Sequence, residues 1–175
     1  MTEDIIPEAV KSGEAVLLDG KGYYKRITTP EAFLDCQRHM LYNENMSQRL
    51  TENNFSGAAI GEPVYIGENV SVMSGSVIES GSVIDNNAVV KGGKVNGYVG
   101  IGSVISERCD INSAVVCRGA VLDSGVKCGE YSVMGEKAHI ASEASLKRRG
   151  IWSGKTVEKG ARLYENVKRS SDSDL

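Results

Sequence analysis

A large aliphatic residue recurs at every sixth position through Ile60, Ile66, Val72, Ile78, Ile84 and Val90. Four places after each stands a smaller residue, Val64, Val70, Ser76, Ser82 and Ala88, until Lys94 breaks the set. An α-helix, at 3.6 residues per turn, would scatter these positions over different faces. A simple strand, with its period of two, would not stop and restart at this interval. A chain that bends every six residues fits. Each unit is then a short strand and a corner, and three units close a triangular coil. The large aliphatic points inward, and the small residue fits the tight interior beside the corner. Gly, Asn, Asp and Ser supply the permissive corners, as at Gly61, Gly67, Gly75, Gly81, Asn86 and Gly92.

The first run of units ends with VKGGKV, and Asn96-Gly97-Tyr98 reads as a three-residue insertion. The repeat resumes as VGIGSV, ISERCD and the shortened INSAV, then VCRGAV, LDSGVK, CGEYSV, MGEKAH, IASEAS and LKRRGI. This division gives fifteen units, hence five coils, in a prism roughly 24 Å long at the usual strand spacing. Like stacks on like, so aliphatic ladders fill the interior. Ile78, Ile84, Leu122, Cys128 and Ile140 are expected inside, and Glu79, Asp85, Asp123 and Lys127 outside. Gly97, Gly100 and Gly102 are corner glycines in this frame. A phosphate loop would instead follow a strand and open a helix.

These hexads resemble the motif of the hexapeptide-repeat superfamily over about residues 54–151, with IGENVS matching best and ISERCD and LKRRGI loosely. The resemblance implies an all-β fold, a left-handed parallel β-helix. It implies several functions. Many members are acyltransferases using acetyl-CoA or acyl carrier protein, often as trimers with sites between prisms. Others are gamma-class carbonic anhydrases. Still others are non-catalytic subunits of assemblies or repeat proteins of phages and mobile elements. The motif specifies the fold and leaves function open.

The flanks lack the repeat. Residues 1–53 read as an N-terminal strand-and-helix cap, residues 54–157 as the β-helix, and residues 158–175 as a short C-terminal cap and frayed tail. AVLLDGKGYYKRI predicts two short strands around Asp19-Gly20-Lys21-Gly22. Thr29-Pro30-Glu31 predicts a helix start, and Ala32, Phe33, Cys36, Met40 and Leu41 lie along one side of the helix that follows. The open end of a solenoid needs cover, which is the natural role of this segment, with contact to a second subunit or partner as the rival reading. At the other end Trp152 is expected over the last coil, and Val157–Val167 as a short helix.

Three histidine ligands would be needed for a carbonic anhydrase zinc site, and the chain has two His, His39 and His139. No metal is expected. For an acyltransferase, the resemblance implies a solenoid His as general base, and His139 is the candidate. Glu136 or Glu143 could orient it, and Lys147, Arg148 and Arg149 could meet the phosphates of acetyl-CoA. Long acceptor-binding loops are absent from the pattern, so two readings stand. The first is a non-catalytic scaffold or interaction protein, without cofactor, of the kind a phage or mobile element carries. The second is an O- or N-acyltransferase using acetyl-CoA.

The row Val77, Val83, Val89 and Val133 faces outward and favours a homo-oligomer, a trimer before a dimer, and leaves room for a protein partner. A net charge of -3 gives no attraction for nucleic acid or anionic membrane. No apolar stretch approaches the roughly 20 residues of a membrane span. The start, MTEDIIPEAV, has no secretory pattern. Cys36, Cys109, Cys117 and Cys128 form no CxxC pair, so free thiols and a cytoplasmic location are expected.

Overall fold

The computed structural model describes residues 10–13, 22–43, 46, 48–49, 55 and 57–164. From Ala59 to Leu163 the chain winds as a parallel β-solenoid in which nearly every strand is two residues long. Each strand joins the last position of one unit to the first of the next, so one side chain points out and its neighbour in. Three flat faces result. On the first, Ile60, Ile78, Val95, Ile111, Cys128, Leu146 and Leu163 stack in register. On the second the ladder is Ile66, Ile84, Val99, Val116, Met134 and Ile151. On the third it is Val72, Val90, Ile105, Leu122, Ile140 and Val157. Apart from the terminal Ile60 and Leu163, these side chains are buried. Each full burial contributes about 1.5–3 kcal/mol.

The small positions behave as the repeat predicts. Ser76, Ser82, Ser103 and Ser132 are buried beside Ala88, Ala120 and Ala138. Their hydroxyls are not stranded: Ser76 donates to the Val90 carbonyl at 3.2 Å, Ser82 to Val95 at 3.1 Å and Ser103 to Cys117 at 2.8 Å. The expected core residues Ile78, Ile84, Leu122, Cys128 and Ile140 are all inside, and Lys127 is exposed. Glu79, Asp85 and Asp123 point outward but are half-buried, because each has a partner on the surface. Glu79 holds Lys94 at 2.7 Å and Asn96 at 2.6 Å, Asp85 accepts the Tyr98 hydroxyl at 3.0 Å, and Asp123 meets His139.

The coil count differs from the expected five. Val95 is not the end of a hexad: it is fully buried on the first-face ladder, so it opens a unit of its own. VKGGK and VNGY are therefore shortened sides, and Asn96-Gly97-Tyr98 is not an insertion. Leu146 likewise opens a five-residue side, and Ile151 begins a unit that leads through Thr156–Val157 to Arg162–Leu163. Eighteen units, six coils, follow. The helix expected at 157–167 is replaced through Leu163 by turn and strand, because Val157 and Leu163 continue the ladders. Trp152 occupies an outward turn position, 60% exposed, and does not cover the last coil.

Shortening the sides flattens the corner between the first and second faces. There Lys94–Val99 and Asp110–Val116 run as continuous strands, paired along their length with a bulge between Asn112 and Ala114. Gly97 is required at this point, since a methyl group there would overlap the Ala114 carbonyl oxygen. Helix α1, Pro30–Asn43, lies on the flattened corner. It starts as predicted, with Thr29 Oγ1 accepting the Ala32 amide at 3.1 Å. Gln37 Nε2 donates to the carbonyls of Gly81 (2.7 Å) and Gly97 (3.2 Å). The Arg38 guanidinium reaches Asn96 Oδ1 and Ser113 Oγ at 3.4 and 3.3 Å. Leu34 and Leu41 are its buried residues, whereas Ala32, Phe33, Cys36 and Met40 are half-buried. The helix thus docks on the flank of the solenoid, through residues of the middle coils. At the open end Gln48–Arg49 adds a strand beside Tyr65–Ile66.

Of the hairpin turn expected at Asp19-Gly20-Lys21-Gly22, only Gly22 is among the described residues. Residues 23–27, the expected second strand, form no ladder. They run beside α1 instead, with Tyr23 stacked on His39 at 3.5 Å and Lys25 3.4 Å from Asp35.

Candidate functional site

On the third face the outward column is Ser71, Val89, Val104, Val121, His139 and Thr156, one residue per coil. The three valines are partly buried by one another's coils, and His139 and Thr156 are exposed. Among the described residues, α1 and the segment leading into it pack on the second face and the flattened corner, leaving this third face clear.

His139 is fixed by its strand. Its amide donates to the Lys155 carbonyl at 2.9 Å, and its neighbours on the face are Val121 and Thr156. Its Nε2 lies 2.9 Å from Asp123 Oδ2. Asp123 follows inward-facing Leu122, so it also points out, one coil earlier. In the tautomer this contact favours, Nε2–H donates to the carboxylate and Nδ1 keeps a lone pair. That is the arrangement of an oriented base. Neither Glu136 nor Glu143 orients the ring: Glu136 is 3.8 Å from Lys137, and Glu143 is 3.3 Å from Arg108. Asp123 is therefore the residue that unit-by-unit reading misses. It stands sixteen residues before His139, a neighbour only once the coils are stacked in register.

Lys147, Arg148 and Arg149 lie elsewhere, at the corner between the first and second faces. Lys147 and Arg148 converge on Glu130 at 2.5 and 3.0 Å. The hydrogen bond from Lys147, with the Arg148 contact beside it, holds the Glu130 carboxyl below its ordinary range. Arg149 is buried in the slot that Ser132 and Ala114 fill in earlier coils, its amide 3.3 Å from Ser132 Oγ. Within one chain, the structure does not bring these cations to His139.

The four cysteines are in no disulfide. Burial raises the thiol pKa of Cys109, Cys117 and Cys128, so these sulfurs are poor nucleophiles near neutral pH. Among the described residues no group of three His, Cys, Asp or Glu could hold a metal ion, and no helix is long and apolar enough to cross a membrane.

Residues 54–167 match the family of the GMPPB C-terminal domain. Among curated proteins no significant match is found. Several solved structures are similar at low identity. A perosamine N-acetyltransferase from Caulobacter crescentus, solved with CoA and GDP-perosamine, is 22% identical over 65% of this chain and 51% of its own, with a TM-score of 0.36. The acetyltransferase domain of PglB from Neisseria gonorrhoeae is 19% identical over 61% of this chain and 48% of its own, TM-score 0.28. A hexapeptide transferase family protein from Anaplasma phagocytophilum is 20% identical over 65% of this chain and 70% of its own, TM-score 0.29. The match spans about half the length of the first of these. The six stacked coils that the matched residues form are built on the six-residue repeat of the sequence.

Proposed function

Because the chain belongs to the GMPPB C-terminal domain family, we propose that it is a non-catalytic β-solenoid module that assembles copies of itself, or joins a protein partner, through its third face. The observation that carries this reading is the flat column of Val89, Val104 and Val121, clear among the described residues, on a six-stranded sheet whose inner side is a buried aliphatic ladder. A flat face of this kind loses little conformational freedom on docking, and its valines gain from leaving water. A family named for a C-terminal domain is one whose repeat is carried as part of a larger protein, which suits an assembly module. We favour a trimer in a reducing, cytoplasmic setting, where the four thiols stay free.

Light scattering tests this. The unaltered chain should show a multiple of the 18.8 kDa monomer mass at micromolar concentration. Val104→Glu or Val121→Glu should return it to the monomer. A monomer mass for the unaltered chain rejects self-assembly.

One contact favours a second reading, the 2.9 Å pairing of His139 with Asp123. In an acyltransferase, His139 Nδ1 would take the acceptor's proton while Asp123 held the ring. Acetyl-CoA phosphates would then meet Lys147 or Arg148 of a neighbouring copy. Calorimetry with acetyl-CoA separates the two. The scaffold reading expects no saturable heat at millimolar ligand. A dissociation constant below about 100 μM, roughly −5.5 kcal/mol, would put the enzyme first, and His139→Ala should then spare binding while abolishing turnover.

A further inference from the structure

Residues 23–28 have the backbone of a strand without a sheet. Among the described residues none of their amides or carbonyls makes a hydrogen bond, and none of these residues has a positive φ. The segment is anchored by every second side chain. Tyr23 stacks on His39, Lys25 meets Asp35 at 3.4 Å, and Ile27 borders the apolar depression beside Phe33. His39 and Asp35 are four residues apart on α1, about 6 Å along a helix axis. Tyr23 and Lys25 are two residues apart, about 6.6 Å in an extended chain. The two lengths match when residues 23–27 lie extended and antiparallel to α1. Its exposed backbone groups are left to water, and an unpaired strand is a template on which another chain adds.

The side chains make this edge selective. Tyr24 is 86% exposed, and Tyr23 and Ile27 keep 42% and 52% of their surface despite their anchors. Three large side chains with apolar surface within five residues form a patch rather than a scatter. Arg26 and Thr28 alternate with the anchors on the side of Tyr24, and both are exposed. Lys25 shares Asp35 with Arg38, whereas Arg26 makes no ion pair among the described residues. The charge that this edge leaves for a partner is therefore positive.

We propose that residues 23–28 are the docking edge for an extended acidic segment of a protein partner. The segment adds as a strand beside them, with a carboxylate opposite Arg26 and an aromatic or β-branched side chain opposite Tyr24, the cross-strand pairs that such positions favour. The edge lies with α1 on the flattened corner and the second face, so it is separate from assembly through the third.

Nuclear magnetic resonance on the full chain tests this with capped heptapeptides. In TVEVYVT, paired antiparallel, glutamate stands opposite Arg26 and tyrosine opposite Tyr24. TVKVYVT reverses the charge, and fully N-methylated TVEVYVT donates no backbone hydrogen bond. TVEVYVT should bind with a dissociation constant below about 1 mM, at least tenfold tighter than TVKVYVT, and slow hydrogen exchange within residues 23–28. The N-methylated peptide should not bind. Arg26→Glu, at an exposed side chain, should invert the preference and leave the spectrum of the solenoid unaltered. The absence of saturable binding, a charge preference unchanged by Arg26→Glu, or equal binding of the N-methylated peptide would overturn the proposal. So would slow exchange of these amides in the chain alone, because the edge would then already be filled by a second copy or by the chain's own preceding residues.

Discussion

Ile84 and Asp85 are adjacent in sequence and opposite in environment. Ile84 is fully buried between Ile66 and Val99, and Asp85 faces out to accept the Tyr98 hydroxyl. Burial and the Asp85 charge push the Tyr98 phenol up to about 12, so it remains a donor throughout the ordinary pH range. Ile84→Asp would place a carboxylate without partners in the ladder and should prevent folding. Asp85→Ala removes the acceptor of two hydrogen bonds, from the Tyr98 hydroxyl and the Asn86 amide, and should cost about 1–2 kcal/mol, more than the ±0.5 kcal/mol of a bare surface position. Urea denaturation checks both, and equal tolerance would mean that the register is wrong. The corners offer a substitution of the opposite sign. Lys137 has a φ of 55° at a corner where Gly119 and Gly154 serve the neighbouring coils. Left-handed backbone costs a side-chain-bearing residue about 1–2 kcal/mol. Lys137→Gly should therefore stabilise the protein by up to about 1 kcal/mol, read as a raised denaturation midpoint.

At the scale of elements, the flattened corner and α1 depend on each other. Gln37 holds the Gly97 carbonyl, and Gly97 exists because two strands approach too closely for a side chain. Gly97→Ala should force Lys94–Val99 away from Asp110–Val116 and cost more than about 2 kcal/mol. Hydrogen exchange should show faster exchange in α1 as well as in the two strands. This region also marks the limit of what the sequence discloses. The inward ladders are legible because one large aliphatic per side suffices to define them, and the start of α1 is legible because Thr29 and Pro30 are local signals. Val95 is misleading: spaced five from Val90, it fills the sixth place of a hexad as well as the first place of a short side. Only burial against Ile78 and Ile111 distinguishes these roles. Asp123 and His139 are hidden for a related reason. Their proximity arises from stacking one coil on the next, and the shortened sides change that offset along the chain. The flank position of α1 was equally hidden, because it is set by a corner whose flattening no local residue announces.

For the whole molecule, the strand ladders join each coil to the coil before and the coil after, as in the runs Val72–Val90–Ile105 and Leu122–Ile140–Val157, while the Arg108–Glu143 ion pair reaches across one intervening coil at the surface. Stability is then close to a sum over nearest neighbours. The structure already contains sides of six, five and four residues without loss of the inward ladders, so the corners absorb changes of length that the flat faces cannot. Deletions should obey a whole-turn rule. Excising residues 116–133 brings Met134 into the place of Val116, and every remaining rung keeps a matched neighbour. The product should fold cooperatively and be shorter by one strand spacing, about 4.8 Å, by small-angle scattering. Excising residues 116–124, half as many, would set outward side chains against inward ones and should give an unfolded chain. The protein is in this sense extensible: its length can be edited in turns, as a screw is cut, without redesigning its cross-section.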